Sequence, residues 1–123
     1  MRSRWIVAGL LAWLLLAPEI GWAHAYLVRS VPARRAVLSQ VPARIQVWFN
    51  ERLEPAFSSV SVWNKEGPQV DLGDVEVGPN DPKKLSVAVP ALSPGPYTVK
   101  FRVLSVDGHI VEDQFAFTIR GSR

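Results

Sequence analysis

Apolar and polar residues alternate with a period of two along much of this 123-residue chain, a pattern typical of strands with one buried face. Apolar spacing typical of helices is scarce. Prolines and glycines separate the alternating runs, and each interrupts pairing or sets a turn. The pattern predicts an all-β protein of about seven strands, an antiparallel two-sheet β-sandwich or Greek-key barrel of the immunoglobulin-like type. The clearest runs are residues 45–49, 60–62, 85–89, 97–103 and 115–119.

The stretch LSPGPY, residues 92–97, favours the immunoglobulin-like form of this sandwich. It resembles a tyrosine corner, in which a tyrosine at the start of a late strand donates a hydrogen bond back to the preceding loop. A plain Pro-Gly turn before a strand with a core tyrosine fits the same residues equally well. Neither interpretation bears on function.

Residues 1–23 have the pattern of a cleaved secretory signal. Arg2 and Arg4 precede an unbroken apolar run over residues 5–17, and small residues stand at the cleavage position that ends with Ala23. A retained membrane anchor is the alternative, but this run is shorter than the about 20 apolar residues that cross a bilayer. We therefore expect an exported protein.

Cleavage after Ala23 would leave residues 24–123 as one domain. It is long enough to bury a single hydrophobic core without disulfide bonds or a structural metal to stabilise it. No second apolar segment predicts a membrane span in this part. The formal charge of the whole chain is only +3, and no cluster interleaves basic with aromatic residues, so a nucleic-acid partner is not expected. The chain contains no cysteine, so a metal would have to be held by nitrogen and oxygen ligands.

Two histidines are the only imidazoles of the chain, and both fall at positions suited to a metal. Cleavage would give His24 a free α-amino group next to its imidazole, so that one residue could chelate a cation. His109 follows Asp107 and Gly108; by itself Asp-Gly between alternating segments predicts only a hairpin turn. An amine, two imidazoles and a carboxylate together form a tetragonal set of three nitrogens and one oxygen, which suits Cu(II) better than zinc or calcium.

Three stretches of the sequence closely resemble the copper-resistance protein C family, CopC, of bacterial periplasmic copper-binding proteins. They are residues 24–38 (HAYLVRSVPARRAVL), 45–60 (IQVWFNERLEPAFSSV) and 92–119 (LSPGPYTVKFRVLSVDGHIVEDQFAFTI). The resemblance implies a small β-barrel or immunoglobulin-like sandwich that binds copper without turnover, and so is not an enzyme. It also implies delivery of the metal to an inner-membrane partner of the CopD type.

The same resemblance implies the ligands. These would be His24 through its amine and imidazole, Asp107 and His109, while Glu51 matches an acidic residue that lies near the metal in some members. Members that also bind Cu(I) carry a methionine-rich segment, whereas the only methionine here is Met1. The sequence therefore predicts a site for Cu(II) alone, since thioethers stabilise Cu(I) while imidazole and carboxylate favour Cu(II).

The other departure from the family pattern is expected in the loop. Ile110 stands where a proline commonly follows the loop histidine, and Asp113 replaces a common glycine. Neither change removes a ligand.

Two other classes of function remain open from the sequence. A copper held by an amino-terminal histidine and a second histidine also resembles the histidine brace of oxidative copper enzymes, although an anionic Asp107 would occupy the position where oxygen must bind. A metal-free β-sandwich interaction module is the other alternative, and a lack of copper affinity would favour it.

Overall fold

The computed structural model describes residues 25–121, so the predicted signal and His24 lie outside the described residues. Eight strands and one 3₁₀ turn follow one another along this part of the chain. They are β1 (Leu27–Val31), β2 (Val37–Leu38), β3 (Arg44–Phe49), the 3₁₀ turn (Pro55–Phe57), β4 (Ser59–Asn64), β5 (Glu76–Gly78), β6 (Asp81–Ala88), β7 (Gly95–Leu104) and β8 (Ile110–Ile119).

The strands form two four-stranded sheets, which confirms the predicted all-β sandwich. One sheet has the order β1-β3-β6-β5 and the other the order β2-β8-β7-β4. The alternating residues predicted from the sequence point between the sheets, and those of β3, β4, β6, β7 and β8 form one continuous buried cluster. Burying this apolar face is the main favourable term that holds the two sheets together.

The count of strands is eight where about seven were predicted. The strands without a clear sequence pattern are β1, β2 and β5. Since β2 and β5 are only two and three residues long, they are too short to display a period of two. β1 lies at a sheet edge, and no residue of it is buried.

Two further details differ from the sequence-based picture. β2 pairs with β8 in parallel, so the second sheet is not purely antiparallel. Pro82 and Pro96 lie inside the first two residues of β6 and β7 instead of between strands. A proline is tolerated there because its missing N–H removes no bond from the middle of the ladder.

All the connections relevant to function meet at one end of the sandwich, which we call the loop end. It comprises the entry segment 25–26, the β3–β4 connection 50–58, the β5–β6 turn 79–80 and the β7–β8 loop 105–109. Backbone bonds join these segments: the Leu53 N–H donates to the Pro82 carbonyl over 2.9 Å, and the Glu54 N–H donates to the Leu104 carbonyl over 2.8 Å. Within residues 25–121, no helix is long and apolar enough to cross a membrane.

The opposite end carries the tyrosine corner, and the contact that defines it is present. The buried Tyr97 side chain donates its hydroxyl hydrogen to the Ser93 carbonyl, four residues upstream, over 2.6 Å. Partial burial raises the pKa of this phenol above its usual value. The loop before β7 is therefore tied to the strand it enters.

We expect Tyr97→Phe to lower the free energy of unfolding by about 1 kcal/mol, because it removes this one hydrogen bond and leaves the ring packing in place. Urea unfolding at neutral pH measures the change. The matched control is Tyr26→Phe, which removes the hydroxyl of a tyrosine that is more than half exposed. Equal losses in the two variants would contradict a stabilising role for the corner.

Candidate metal centre

The β7–β8 hairpin presents the residues of the candidate site. Its loop, residues 105–109, is closed by two backbone bonds of 2.9 Å: the Ser105 N–H donates to the His109 carbonyl, and the Gly108 N–H donates to the Ser105 carbonyl. Gly108 has a φ of 91°, a conformation that side chains disfavour. The turn is thus centred on Val106 and Asp107, with glycine following it, and not on the Asp-Gly pair itself.

Asp107 and His109 lie side by side in this loop. Oδ2 of Asp107 is 3.2 Å from Nδ1 of His109, and about 38% and 27% of the respective side-chain surfaces are exposed. Two ligand atoms at about 2.0–2.1 Å from one metal ion, at an angle somewhat above 90°, would be separated by about 3.2 Å. The pair therefore fits one edge of a metal's coordination sphere.

Ser105 is the buried neighbour of this pair. Its side chain is 1% exposed, and it forms an isolated bridge with Leu53 of the β3–β4 connection. Its hydroxyl donates a hydrogen bond to Oδ1 of Asp107 and accepts one from the His109 N–H over 3.2 Å. The Ser105 hydroxyl is the largest cause that lowers the pKa of Asp107 below its usual value; partial burial opposes this shift, and His109 adds to it.

Glu51 lies on the neighbouring β3–β4 connection and is half-buried. The adjacent residue, Arg52, accepts a hydrogen bond of 2.9 Å from the Val106 N–H, so the two loops touch. Among residues 25–121, however, no three histidine, aspartate or glutamate side chains are close enough together to hold a metal ion. The structure thus brings Asp107 and His109 together, and Glu51 stays a prediction.

The entry segment of the chain is fixed at the same loop end. Ala25 is 3% exposed. The Tyr26 N–H donates to Oδ1 of Asn50 over 2.6 Å, and the Asn50 N–H donates to the Tyr26 carbonyl over 3.2 Å. His24 lies outside the described residues, so its role as a ligand also stays a prediction. The chain that follows it is nevertheless anchored on the β3–β4 connection.

Sequence reasoning missed the roles of Ser105 and Asn50. Both lie inside stretches that carry the family resemblance, but neither is a typical copper ligand, so the sequence alone does not indicate their roles. Their short polar side chains beside a turn are the available signal, since such side chains commonly bond to nearby backbone groups. Ile110 and Asp113, the departures from the family pattern that were expected in the loop, lie on β8 instead, and Asp113 pairs with Arg34 over 3.2 Å.

A carboxylate beside an imidazole provides hard and borderline donors and no soft one. Residues 25–121 contain neither cysteine nor methionine, so no sulfur ligand is available in this part of the chain. Such a set holds a divalent metal ion well but offers little to a monovalent copper ion.

Relatives of this chain in sequence are described as copper transport or copper resistance proteins. The family model of the CopC domain matches residues 27–120. Copper transport protein CutJ of Bacillus subtilis (strain 168) is 32% identical over 119 residues, which are 96% of this chain but 22% of that protein. The chain therefore spans about a fifth of the length of this relative. Copper resistance protein C of Pseudomonas syringae pv. tomato is 30% identical over 113 residues, 86% of this chain and 88% of that protein.

Solved structures give the same result for the fold. The crystal structure of CopC from Methylosinus trichosporium OB3b superposes with a TM-score of 0.75 at 35% identity, covering 81% of this chain and 97% of that one. PcoC from Escherichia coli, described as a methionine-rich copper resistance protein, superposes with a TM-score of 0.69 at 30% identity, covering 80% of this chain and all of that one. The family match, the relatives and the shared sandwich show that the chain belongs to the CopC family, whose members are described as copper resistance and copper transport proteins.

Proposed function

We propose that this protein is a periplasmic Cu(II) carrier that binds one ion at the loop end and delivers it to a membrane partner. The observation that carries the proposal is the separation of 3.2 Å between Oδ2 of Asp107 and Nδ1 of His109. This distance supports Asp107 and His109 as neighbouring ligands of one ion. The ion is cargo, and no step of chemistry is performed on it.

The oxidation state follows from the chemistry of the donors. Nitrogen and oxygen ligands in a tetragonal arrangement favour Cu(II), which also stands at the top of the affinity order for divalent ions of the first transition series. The E. coli relative is described as methionine-rich, whereas this chain contains only Met1. Apart from Met1, which lies in the predicted signal, the chain therefore offers no sulfur ligand for a Cu(I) site.

His24 completes the proposed site, with its imidazole and the α-amino group that cleavage after Ala23 would release. The bonds between Tyr26 and Asn50 support this assignment, because they hold the chain two residues beyond His24 against the β3–β4 connection. Glu51, on that same connection, is proposed as a further ligand or as a neighbour that bonds to one. Three nitrogens and the Asp107 oxygen would then surround the ion.

We expect the mature protein that begins at His24 to bind one Cu(II), and a form with one extra residue before His24 to bind much more weakly. The extension converts the amine into an amide, which removes a ligand and the chelate ring. The loss should exceed the roughly 10–100-fold typical of altering a residue that only contacts a ligand. Cu(II) titration in competition with a chelator of known affinity measures it.

His109→Ala is the companion variant, because it removes a proposed ligand from the other side of the site. His109 lies in a loop outside the core. The free energy of unfolding of the metal-free variant should therefore match that of the wild type within about 0.5 kcal/mol. Identical Cu(II) affinities for the mature and extended forms would refute the amino-terminal chelate. A His109→Ala variant with the Cu(II) affinity of the wild type would show that His109 is not a ligand.

Reduction of the bound ion should release it, since none of the proposed ligands suits Cu(I). Ascorbate added to the Cu(II)-loaded protein, together with a Cu(I)-specific chelator, should transfer the metal to the chelator, whereas the chelator alone should not. The absorbance of the Cu(I) chelate follows the transfer. Retention of copper after reduction would contradict a site specific for Cu(II).

Delivery to a partner is supported by the surroundings of the site and by one relative. Four large apolar side chains, each more than half exposed, lie on the loop end or at the first residue of β8 next to it. We call them the apolar rim, and they are Tyr26, Phe57, Val106 and Ile110. Exposed apolar groups around a site are typical of contact surfaces for other proteins. The Bacillus relative is named a copper transport protein, and the region that matches this chain is 22% of its length, which supports a role of this domain beside a larger copper-transporting protein. We propose a CopD-type membrane protein as the partner.

We expect the double variant Phe57→Ser/Ile110→Ser to bind Cu(II) as tightly as the wild type but to transfer it at least about fivefold more slowly, because apolar contacts dominate such interfaces. Membrane vesicles that contain a CopD-type protein, with a copper-sensitive dye inside, report the transfer. Leu72→Ser is the matched control, since Leu72 is equally exposed but lies at the opposite end of the sandwich. Equal slowing by both changes would argue against the rim as the contact surface.

A further inference from the structure

The two oxygens of the Asp107 carboxylate have different neighbours. Oδ1 accepts the hydrogen bond of the Ser105 hydroxyl, and Oδ2 lies 3.2 Å from Nδ1 of His109. Ser105 cannot turn away easily, because it is 1% exposed and is bridged to Leu53. The difference between the two oxygens is therefore built into the loop.

We propose that Ser105 is a positioning residue that makes Asp107 a ligand through one oxygen only. Its hydroxyl occupies Oδ1, so the carboxylate presents Oδ2 alone to the ion, on the side where the His109 ring lies. This inference rests on the proposed function, since it assigns the role of a residue that contacts the ligands of the same site.

A second contact extends the role of Ser105 to the other loop ligand. The same hydroxyl accepts the His109 N–H over 3.2 Å, and the Ser105 backbone N–H donates to the His109 carbonyl over 2.9 Å. One buried side chain thus sets both the rotation of the Asp107 carboxylate and the position of the His109 backbone. Metal ligands held by such neighbours lose less freedom when they bind.

Binding through one oxygen also bears on which ions the site accepts. A carboxylate that binds through both oxygens suits larger ions that take six to eight oxygen ligands, such as Ca²⁺. A single carboxylate oxygen, together with imidazole and amine nitrogens, can provide the four ligands in one plane that Cu(II) prefers. Ser105 therefore contributes to selectivity although it does not touch the ion.

Ser105→Ala tests the proposal, with Ser58→Ala as the matched control. Ser58 is also a buried serine of the loop end, but its hydroxyl accepts a bond of 3.2 Å from the Leu104 N–H. We expect Ser105→Ala to weaken Cu(II) binding by about 10–100-fold, and to change the electron paramagnetic resonance spectrum of the bound ion. Ser58→Ala should leave both unchanged, and Ser105→Thr, which keeps the hydroxyl, should restore the wild-type spectrum.

The possible outcomes separate this inference from the proposed function. A mature wild-type protein that binds no Cu(II) overturns both. A wild type that binds, together with a Ser105→Ala variant of unchanged affinity and spectrum, overturns the role of Ser105 and leaves the carrier intact. Equal losses in Ser105→Ala and Ser58→Ala, in step with their metal-free stabilities, show a structural role only and also overturn it.

A measurement on the wild type covers the case in which Ser105→Ala fails to fold. A crystal structure of the Cu(II)-loaded mature protein should show Oδ2 of Asp107 bound to the ion and Oδ1 still bonded to the Ser105 hydroxyl. Coordination through both oxygens, or through Oδ1, would refute the proposal.

Discussion

The pairing of β7 with β8 determines where the candidate site can form. The two strands pair over ten residues each, from Gly95 opposite Ile119 to Leu104 opposite Ile110, and the loop of Asp107 and His109 closes this ladder. Because side chains alternate between the two faces, a slip of either strand by one residue would move the whole apolar set of that strand out of the core. Burial of that set therefore fixes the register, and the register fixes the loop.

The contacts between loops then combine separate parts of the chain at the loop end. The β3–β4 connection is the common support: it bonds to the β7–β8 loop through Arg52 and to the entry segment through Asn50. These bonds involve backbone groups, so they position the segments of the loop end relative to one another. Ser105 is the exception, since its side chain reaches a proposed ligand directly.

The sequence predicted the sandwich because its long strands each have one buried face, as in β7, where Tyr97, Val99, Phe101 and Val103 are all buried. It could not predict β2 and β5, which are set by pairing with neighbours instead of by their own pattern. The juxtaposition of Asp107 and His109 follows from their spacing in one turn. The roles of Ser105 and Asn50 do not, since single hydrogen bonds such as those from Ser105 to Asp107 and from the Tyr26 N–H to Asn50 leave no periodicity to detect.

The direction of β8 has a practical consequence for joining this domain to other proteins. The strand starts at Ile110 beside the loop of Asp107 and His109 and runs the length of the sandwich to Ile119, next to Gly95. A group attached after residue 121 is therefore expected at the tyrosine-corner end, far from the proposed metal ligands. An affinity tag, a surface linker or a reporter domain fused at that end leaves the loop end accessible, whereas the same addition ahead of Ala25 would emerge beside it.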